Sequence, residues 1–310
     1  MTEVVGFFQL VVTAMVPFIL AAQGTMLGGR TGVFNVSQEG MMILGASVGF
    51  LVSLEVGSNL VGLVVAAVVG GVFGLILGWT TTVLRLDQFV IGLALFFAAA
   101  GLASLLYKVV IGVTLTPPLI PTLPDWNIPL LGDIPVIGPI LFRQDGMVYF
   151  AFLLSGFLYW LLYRTNLGLQ LRSVGENPKA ADSLGVNVTR MRITTATIGS
   201  ALMALAGAYL PMVYTGTYTE GIVAGRGWLA IALTFFGGWR PQFILAGAAF
   251  FAAMDVLALR VQVGGIGIPH QFVLMLPYVA TLLVMMFAFR WARVPAFLGR
   301  NYDRESRTAH

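Results

Sequence analysis

The sequence predicts an all-α polytopic membrane protein with about nine transmembrane segments, two of them, the second and the seventh, broken helices. Three observations predict it. Of 310 residues, 58% are hydrophobic and only 10% are charged, where a soluble domain carries about a quarter charged residues. Mean hydropathy is +0.90. The apolar residues fall in blocks long enough to cross about 30 Å of hydrocarbon as a helix, without the strand-like alternation of outer-membrane barrels.

The blocks run roughly over 4–27, 36–54, 59–84, 88–111, 147–163, 190–213, 225–239, 242–259 and 271–290, in one membrane domain over 1–310. The first carries Ala21 and Ala22 near its end, as a cleaved leader would. Glu3 stands where a leader has basic residues, so the block reads as a retained span. The net charge of +4 does not indicate nucleic acid, because the basic residues sit at the ends of the apolar blocks. With the 164–189 loop in the cytoplasm, Lys108, Arg143, Arg226 and Arg260 fall outside and the other thirteen of the 17 basic residues fall inside. The positive-inside bias therefore places the N-terminus outside and the tail 291–310 in the cytoplasm. There is no cysteine, hence no disulfide framework or thiolate chemistry.

The second block is interrupted at its start by Gly32, Asn35 and Gly40. The seventh is short, with Gly225, Gly227, Gly237 and Gly238 around an apolar centre and Arg240-Pro241 closing it. Broken spans in corresponding places of two halves point to an inverted repeat with a midplane pathway. Small residues at four-residue spacing, Gly24/Gly28, Gly45/Gly49 and Gly70/Gly74/Gly78, predict close helix packing. The external loop 112–146 holds too many prolines for a helix. It reads either as an ordered cap with Trp126 at the interface or as a spacer.

No motif of catalysis survives scrutiny. A phosphate-cradling Gly-x-x-x-x-Gly-Lys-Ser/Thr loop is missing. Gly45-Ala46-Ser47-Val48-Gly49 matches a nucleophile elbow in spelling only, since it lies within an apolar helix. The only histidines, His270 and His310, offer no metal site. Asn187-Val188-Thr189 is a glycosylation sequon on the cytoplasmic side. The chain reads as a non-enzyme.

The inner loop 164–189 is more informative. Asn177 is placed to cap a helix whose first residue is Pro178, where the missing N–H costs nothing. About two turns follow, to Leu184, and Gly185 ends them with a left-handed cap. Such a preorganised surface helix either receives force from a cytoplasmic partner or merely ties two spans together.

This loop, with Gly175-Glu176-Asn177-Pro178-x-Ala180-Ala181-Asp182-x-x-Gly185, resembles the coupling loop of ABC-importer permeases in the ribose and branched-chain amino acid group. Gly29–Ala46 is similar to that group's early Gly-x-x-Asn-x-x-x-Glu-Gly segment, and Gly225–Pro241 to its late glycine-rich span. Length and the coupling-loop and Gly-Trp details resemble the shorter of two paralogous permeases in nucleoside-type importers. Asn35-Val36-Ser37 departs from the group's frequent Asn-Ile-Gly/Ala. The resemblance implies a complex in the bacterial inner membrane: this chain, a second permease, a cytoplasmic ATPase that binds the ATP and Mg, and an extracytoplasmic binding protein or lipoprotein. It implies ATPase coupling through Gly175, Glu176, Asn177, Pro178, Ala181, Asp182 and Gly185.

For the pathway, Asn35, Gln38, Glu39 and Met42 fall at helical spacing on one face. An ionisable residue within the bilayer usually faces the bundle interior or water, which makes Glu39 the leading candidate. Its alternative is a structural tie to backbone or to Arg30. Glu220 and Arg226 flank the mouth of segment seven or simply pair with each other. Phe34 and Trp228 offer stacking surfaces for a flat base, or only packing. Asp255 lies near Arg260, where snorkelling is enough to explain it. The spans carry little charge to match an ion, which favours a neutral solute. Nucleosides lead, with ribose, other sugars and flavins open. A stand-alone secondary transporter is the competing class; it would want midplane titratable groups, and few are present.

Overall fold

The computed structural model describes residues 2–112, 116–129, 131–132, 134–263, 272, 275, 278–283, 286 and 294–303. In chain order the helices are α1 (Thr2–Arg30), α2 (Gln38–Val56), α3 (Asn59–Thr82), α4 (Gln88–Val110), α5 (Gly146–Arg164), α6 (Asn166–Glu176), α7 (Pro178–Ser183), α8 (Val188–Leu210), α9 (Arg226–Phe236) and α10 (Pro241–Val263). Seven of them, α1 to α5, α8 and α10, are long and apolar enough to cross a membrane. The all-α polytopic fold stands, but the described residues supply seven such helices rather than nine. The expected seventh segment is α9, whose 11 residues are too few for a full crossing. The expected ninth, 271–290, lies largely outside the described residues.

The glycine stripes explain the core. α1, α2 and α3 all pack on α8 through small residues: Gly24 faces Gly199, Gly45 faces Ala204, and Gly74 faces Ala196 and Ser200. A Cβ on Gly74 would stand 2.5 Å from the Ala196 carbonyl, closer than any neighbour tolerates. In lipid there is no hydrophobic drive between helices, so backbone approach and the dispersion contacts it permits hold the bundle. The opposite faces of α3, α4 and α5 expose Leu60, Val68, Phe97 and Leu153, as lipid-facing surfaces should.

Between α4 and α5 the proline-rich stretch folds as an ordered cap. β1 (Asp125–Asn127) pairs antiparallel with β2 (Arg143–Asp145), with Asp125 opposite Asp145. Ile120 N–H donates to the Gly216 carbonyl at 2.7 Å and Leu123 N–H to that of Met212 at 2.9 Å. Asp145 caps α5 through the Met147 and Val148 amides and accepts from the Tyr209 hydroxyl at 2.6 Å. Burial pushes the Asp145 carboxyl above the ordinary range, and the Tyr209 bond pulls it partly back.

The inner loop holds more helix than its sequence suggests. α7 is capped as expected: Asn177 Oδ1 accepts from Ala180 N–H at 3.0 Å, and Gly185 takes φ +86°. α6 before it has its own cap, Thr165 Oγ1 accepting from Gly168 N–H at 3.1 Å. Its 11 residues bury Leu171 and Val174 beneath a polar face.

Candidate functional site

The two breaks anticipated in segments two and seven meet. Residues 33–37 leave helical geometry before α2, and residues 216–225 do so before α9. α9 lies beside the second half of α1. Thr234 Oγ1 donates to the Ala22 carbonyl at 3.0 Å, and Arg30 Nε to the Trp239 carbonyl at 2.8 Å. Arg226 stands eight residues before Thr234, about 12 Å back along the axis. The N-terminus of α9 therefore sits near the mid-height of α1.

Glu39 joins the two breaks. It lies in the first turn of α2, only 7% exposed. One carboxylate oxygen accepts from Gly225 N–H at 2.9 Å and the other from Gly227 N–H at 2.8 Å. One negative charge thus serves the positive ends of two helices, which stabilises it and satisfies amides that α9 cannot pair internally. Gly227 must be glycine for this approach, because a Cβ there would stand 2.6 Å from Glu39 Cα. Of the two expected alternatives for a structural tie, backbone is observed. Arg30 instead bonds the Trp239 carbonyl and the Tyr163 hydroxyl.

The expected single face of Asn35, Gln38, Glu39 and Met42 does not form, because Asn35 precedes α2. Asn35 Oδ1 accepts from Ser37 N–H at 2.9 Å and its Nδ2 donates to Ser200 Oγ at 3.0 Å, so it shapes the break itself. Gln38 Nε2 donates to Thr25 Oγ1 on α1, while its Oε1 has no partner among the described residues. Met42 is fully buried in the α1 core. Phe34 packs edge-on to Phe235. Trp228, 39% exposed, lies 5.7 Å from the Phe96 ring.

Arg226 and Glu220 do not pair with each other. Arg226 bonds Asp255 on α10, at 2.8 Å from Nη2 and 3.0 Å from Nε. Its Nη1 also holds the Ile222 and Val223 carbonyls. Glu220 accepts from Ser104 at 2.9 Å and faces Lys108 at 3.6 Å across exposed surface. Asp255 is accordingly no snorkelling neighbour of Arg260, which donates to the Glu3 carbonyl. Arg226 and Asp255 stand in the wall of a cavity of about 680 Å³, with Leu10, Ala14, Tyr214 and Val256 among its other lining residues. A cavity of that size suits a small molecule.

At the α6–α7 end, Gly175 abuts the Arg30 carbonyl, where a Cβ would overlap it. Glu176 ends α6, Pro178 and Ala181 are buried, and Asp182 accepts from the Tyr302 hydroxyl at 3.1 Å. Asp182 and Gly185 border a groove of about 840 Å³ with Arg85 and Arg190. The residue that sequence reasoning missed is Arg192. It counted as a loop charge, yet it is fully buried and donates to the Thr31 carbonyl at 3.0 Å. A charged residue two positions after Arg190 at a span boundary gave no signal of inward direction. Among the described residues no group of His, Cys, Asp and Glu could hold a metal ion.

Comparison with known proteins agrees with this architecture. The chain is 32% identical to the guanosine ABC transporter permease protein NupQ of Bacillus subtilis, over 98% of this chain and 100% of that one. It is 32% identical to the nucleoside ABC transporter permease protein NupC of Lactococcus lactis, over 97% and 98%. A Haloferax volcanii protein provisionally named as a glucose ABC transporter permease is 31% identical, over 98% and 99%. The same Bacillus subtilis has a second guanosine permease protein, NupP, 22% identical over 89% of this chain. No solved structure matches. A family model, the permease component of the branched-chain amino acid transport system, matches residues 6–289, and the chain belongs to that family.

Proposed function

We propose that this chain is the membrane-spanning permease subunit of an ATP-driven importer for nucleosides. The observation that carries the reading is its similarity, end to end, to a guanosine and a nucleoside permease protein. The structure supports it with two helix breaks joined at mid-height through Glu39, an arrangement that half-helix transport sites use to hold polar solutes. Beside Glu39, Gln38 Oε1 is buried and without a partner among the described residues. The similarity to a glucose permease protein at nearly equal identity supports a second reading, a sugar substrate. Both substrates are neutral and rich in hydroxyls.

The importer pairs this chain with a second permease, as the two guanosine permeases of one organism suggest. A cytoplasmic ATPase binds ATP and Mg, and an extracytoplasmic binding protein delivers the solute. α7 with its caps is the contact for the ATPase, the N-terminus lies outside and residues 294–303 lie in the cytoplasm. The orientation predicts that a cysteine introduced at residue 3, in a chain that has none, reacts with an impermeant maleimide added from outside, while one at 303 does not. Labelling of both positions from the same side contradicts it.

The functional test uses vesicles holding all four components. Guanosine uptake should require ATP and saturate at lower concentration than glucose uptake; the reverse order selects the sugar reading. Gly185→Val together with Asp182→Lys should abolish ATP-driven uptake. At φ +86° a β-branched residue is strained, and Asp182→Lys inverts a charge on the proposed docking face. Parental uptake and retained ATPase in the doubly substituted complex would return α7 to a passive connector. Uptake by this chain alone, indifferent to ATP, would establish a secondary transporter instead.

A further inference from the structure

The segment after the last membrane block bonds to several separate parts of the bundle at once. Residues 294–303 run across the α6–α7 end of the bundle. Phe297 N–H donates to the Gly175 carbonyl at 2.9 Å, at the end of α6, and Gly299 N–H to the Gly32 carbonyl at 3.1 Å, in the break before α2. Asn301 Nδ2 holds the Arg85 carbonyl at 2.6 Å, in the turn between α3 and α4. The Tyr302 hydroxyl reaches Asp182 on α7 at 3.1 Å, and its ring packs on the small cluster of Val174, Ala181 and Val188.

Arg192 shows how firmly this segment is seated. Its side chain is fully buried and donates to carbonyls of two separate segments, from Nε to Thr31 at 3.0 Å and from Nη1 to Arg300 at 3.1 Å, while Nη2 has no partner among the described residues. The guanidinium lies 5.6 Å from the centre of the Phe297 ring. A buried cation held by backbone carbonyls is costly to expose or misplace, so Arg192 fixes the segment against residue 31. There is no room for slack: a Cβ on Gly32 would stand 2.8 Å both from Arg192 Nη2 and from the Phe297 carbonyl.

We infer that residues 294–303 form a strap that transmits displacement of α7 to the Gly32–Asn35 break, with Tyr302 and Arg192 as its positioning residues. The inference rests on the permease reading and extends it. On the strap, Tyr302, which meets α7, stands three residues from Gly299, which meets Gly32. Gly32 in turn stands three residues before Asn35 and seven before Glu39. A push on α7 therefore reaches the helix junction through two hydrogen bonds and a short piece of seated backbone. A second route runs through α6, whose Gly175 abuts the Arg30 carbonyl, but it meets the end of α1, whereas the strap bonds Gly32 in the break itself.

The test is the number of solute molecules moved per ATP hydrolysed, in vesicles holding the complete complex and guanosine as the probe. Tyr302→Phe keeps the ring in its cluster and removes the bond to Asp182. Arg192→Lys keeps the charge and cannot span both carbonyls. Each should lower the ratio of guanosine imported to phosphate released by about fivefold, the consequence of losing one hydrogen bond in the linkage. The ATPase should remain bound. If the strap is only structural, the variants melt earlier and yield less complex, but the ratio in the surviving complex equals the parent's. That outcome in both variants overturns the inference. Absence of ATP-driven uptake of guanosine and of glucose in the parental complex overturns the permease reading, and the strap's role falls with it.

Discussion

Glu39→Ala should lower solute uptake by more than tenfold and destabilise the purified complex by about 3 kcal/mol, within the range for leaving two buried donors unpaired. The carboxylate satisfies Gly225 and Gly227 N–H at once, in a place where water does not replace it. Its loss also removes the negative charge facing the positive ends of α2 and α9, worth up to about 2 kcal/mol in a buried setting. The helix itself is untouched, because alanine is the best helix former. Glu39→Gln should recover part of the effect: the carboxamide oxygen accepts one bond, and its amino group opposes the other donor. The measurements are thermal unfolding in detergent and uptake at matched membrane levels. An alanine variant with the parent's melting temperature and uptake would show that the junction of the two breaks is held by other contacts.

Arg226→Leu and Asp255→Leu should each destabilise strongly, by about 3–5 kcal/mol, while the two together should cost far less. The side chains are each 18% exposed and their atoms 2.8 Å apart. Removing one partner leaves an uncompensated, largely desolvated charge, whereas replacing both by apolar groups removes attraction and desolvation together. The coupling measured by the double-mutant cycle should be large and little affected by salt, since screening acts weakly on a buried pair. Equal and additive losses in the two single variants would mean that the pair does not fasten the 216–225 turn to α10. The pair also borders the cavity beside α1, so the double variant separates stability from transport. A stable double variant that fails to transport would assign the charges to the solute's route.

Chain-level properties were settled by the sequence by itself: an all-α membrane protein, the places of the seven helices long enough to span, the two helix breaks and the caps of α7. These are local or compositional. Hydrocarbon length sets the blocks, proline and glycine interrupt them, and Asn177 and Gly185 act on amides and dihedrals a few residues away. Tertiary structure alone decided which groups meet. Glu39 bonds amides nearly two hundred residues away in sequence, and nothing near it forecasts that partner. Asn35 belongs to the break rather than to a face with Glu39, because spacing reports on direction only where the chain is helical. Arg226 chose Asp255 over the nearer Glu220, since α10 passes within reach and the 216–225 turn carries Glu220 out to Ser104 and Lys108. Arg192 looked like one more charge at a span boundary. Only the seating of residues 294–303 over the bundle turned it inward, where carbonyls from two distant segments take the place of water.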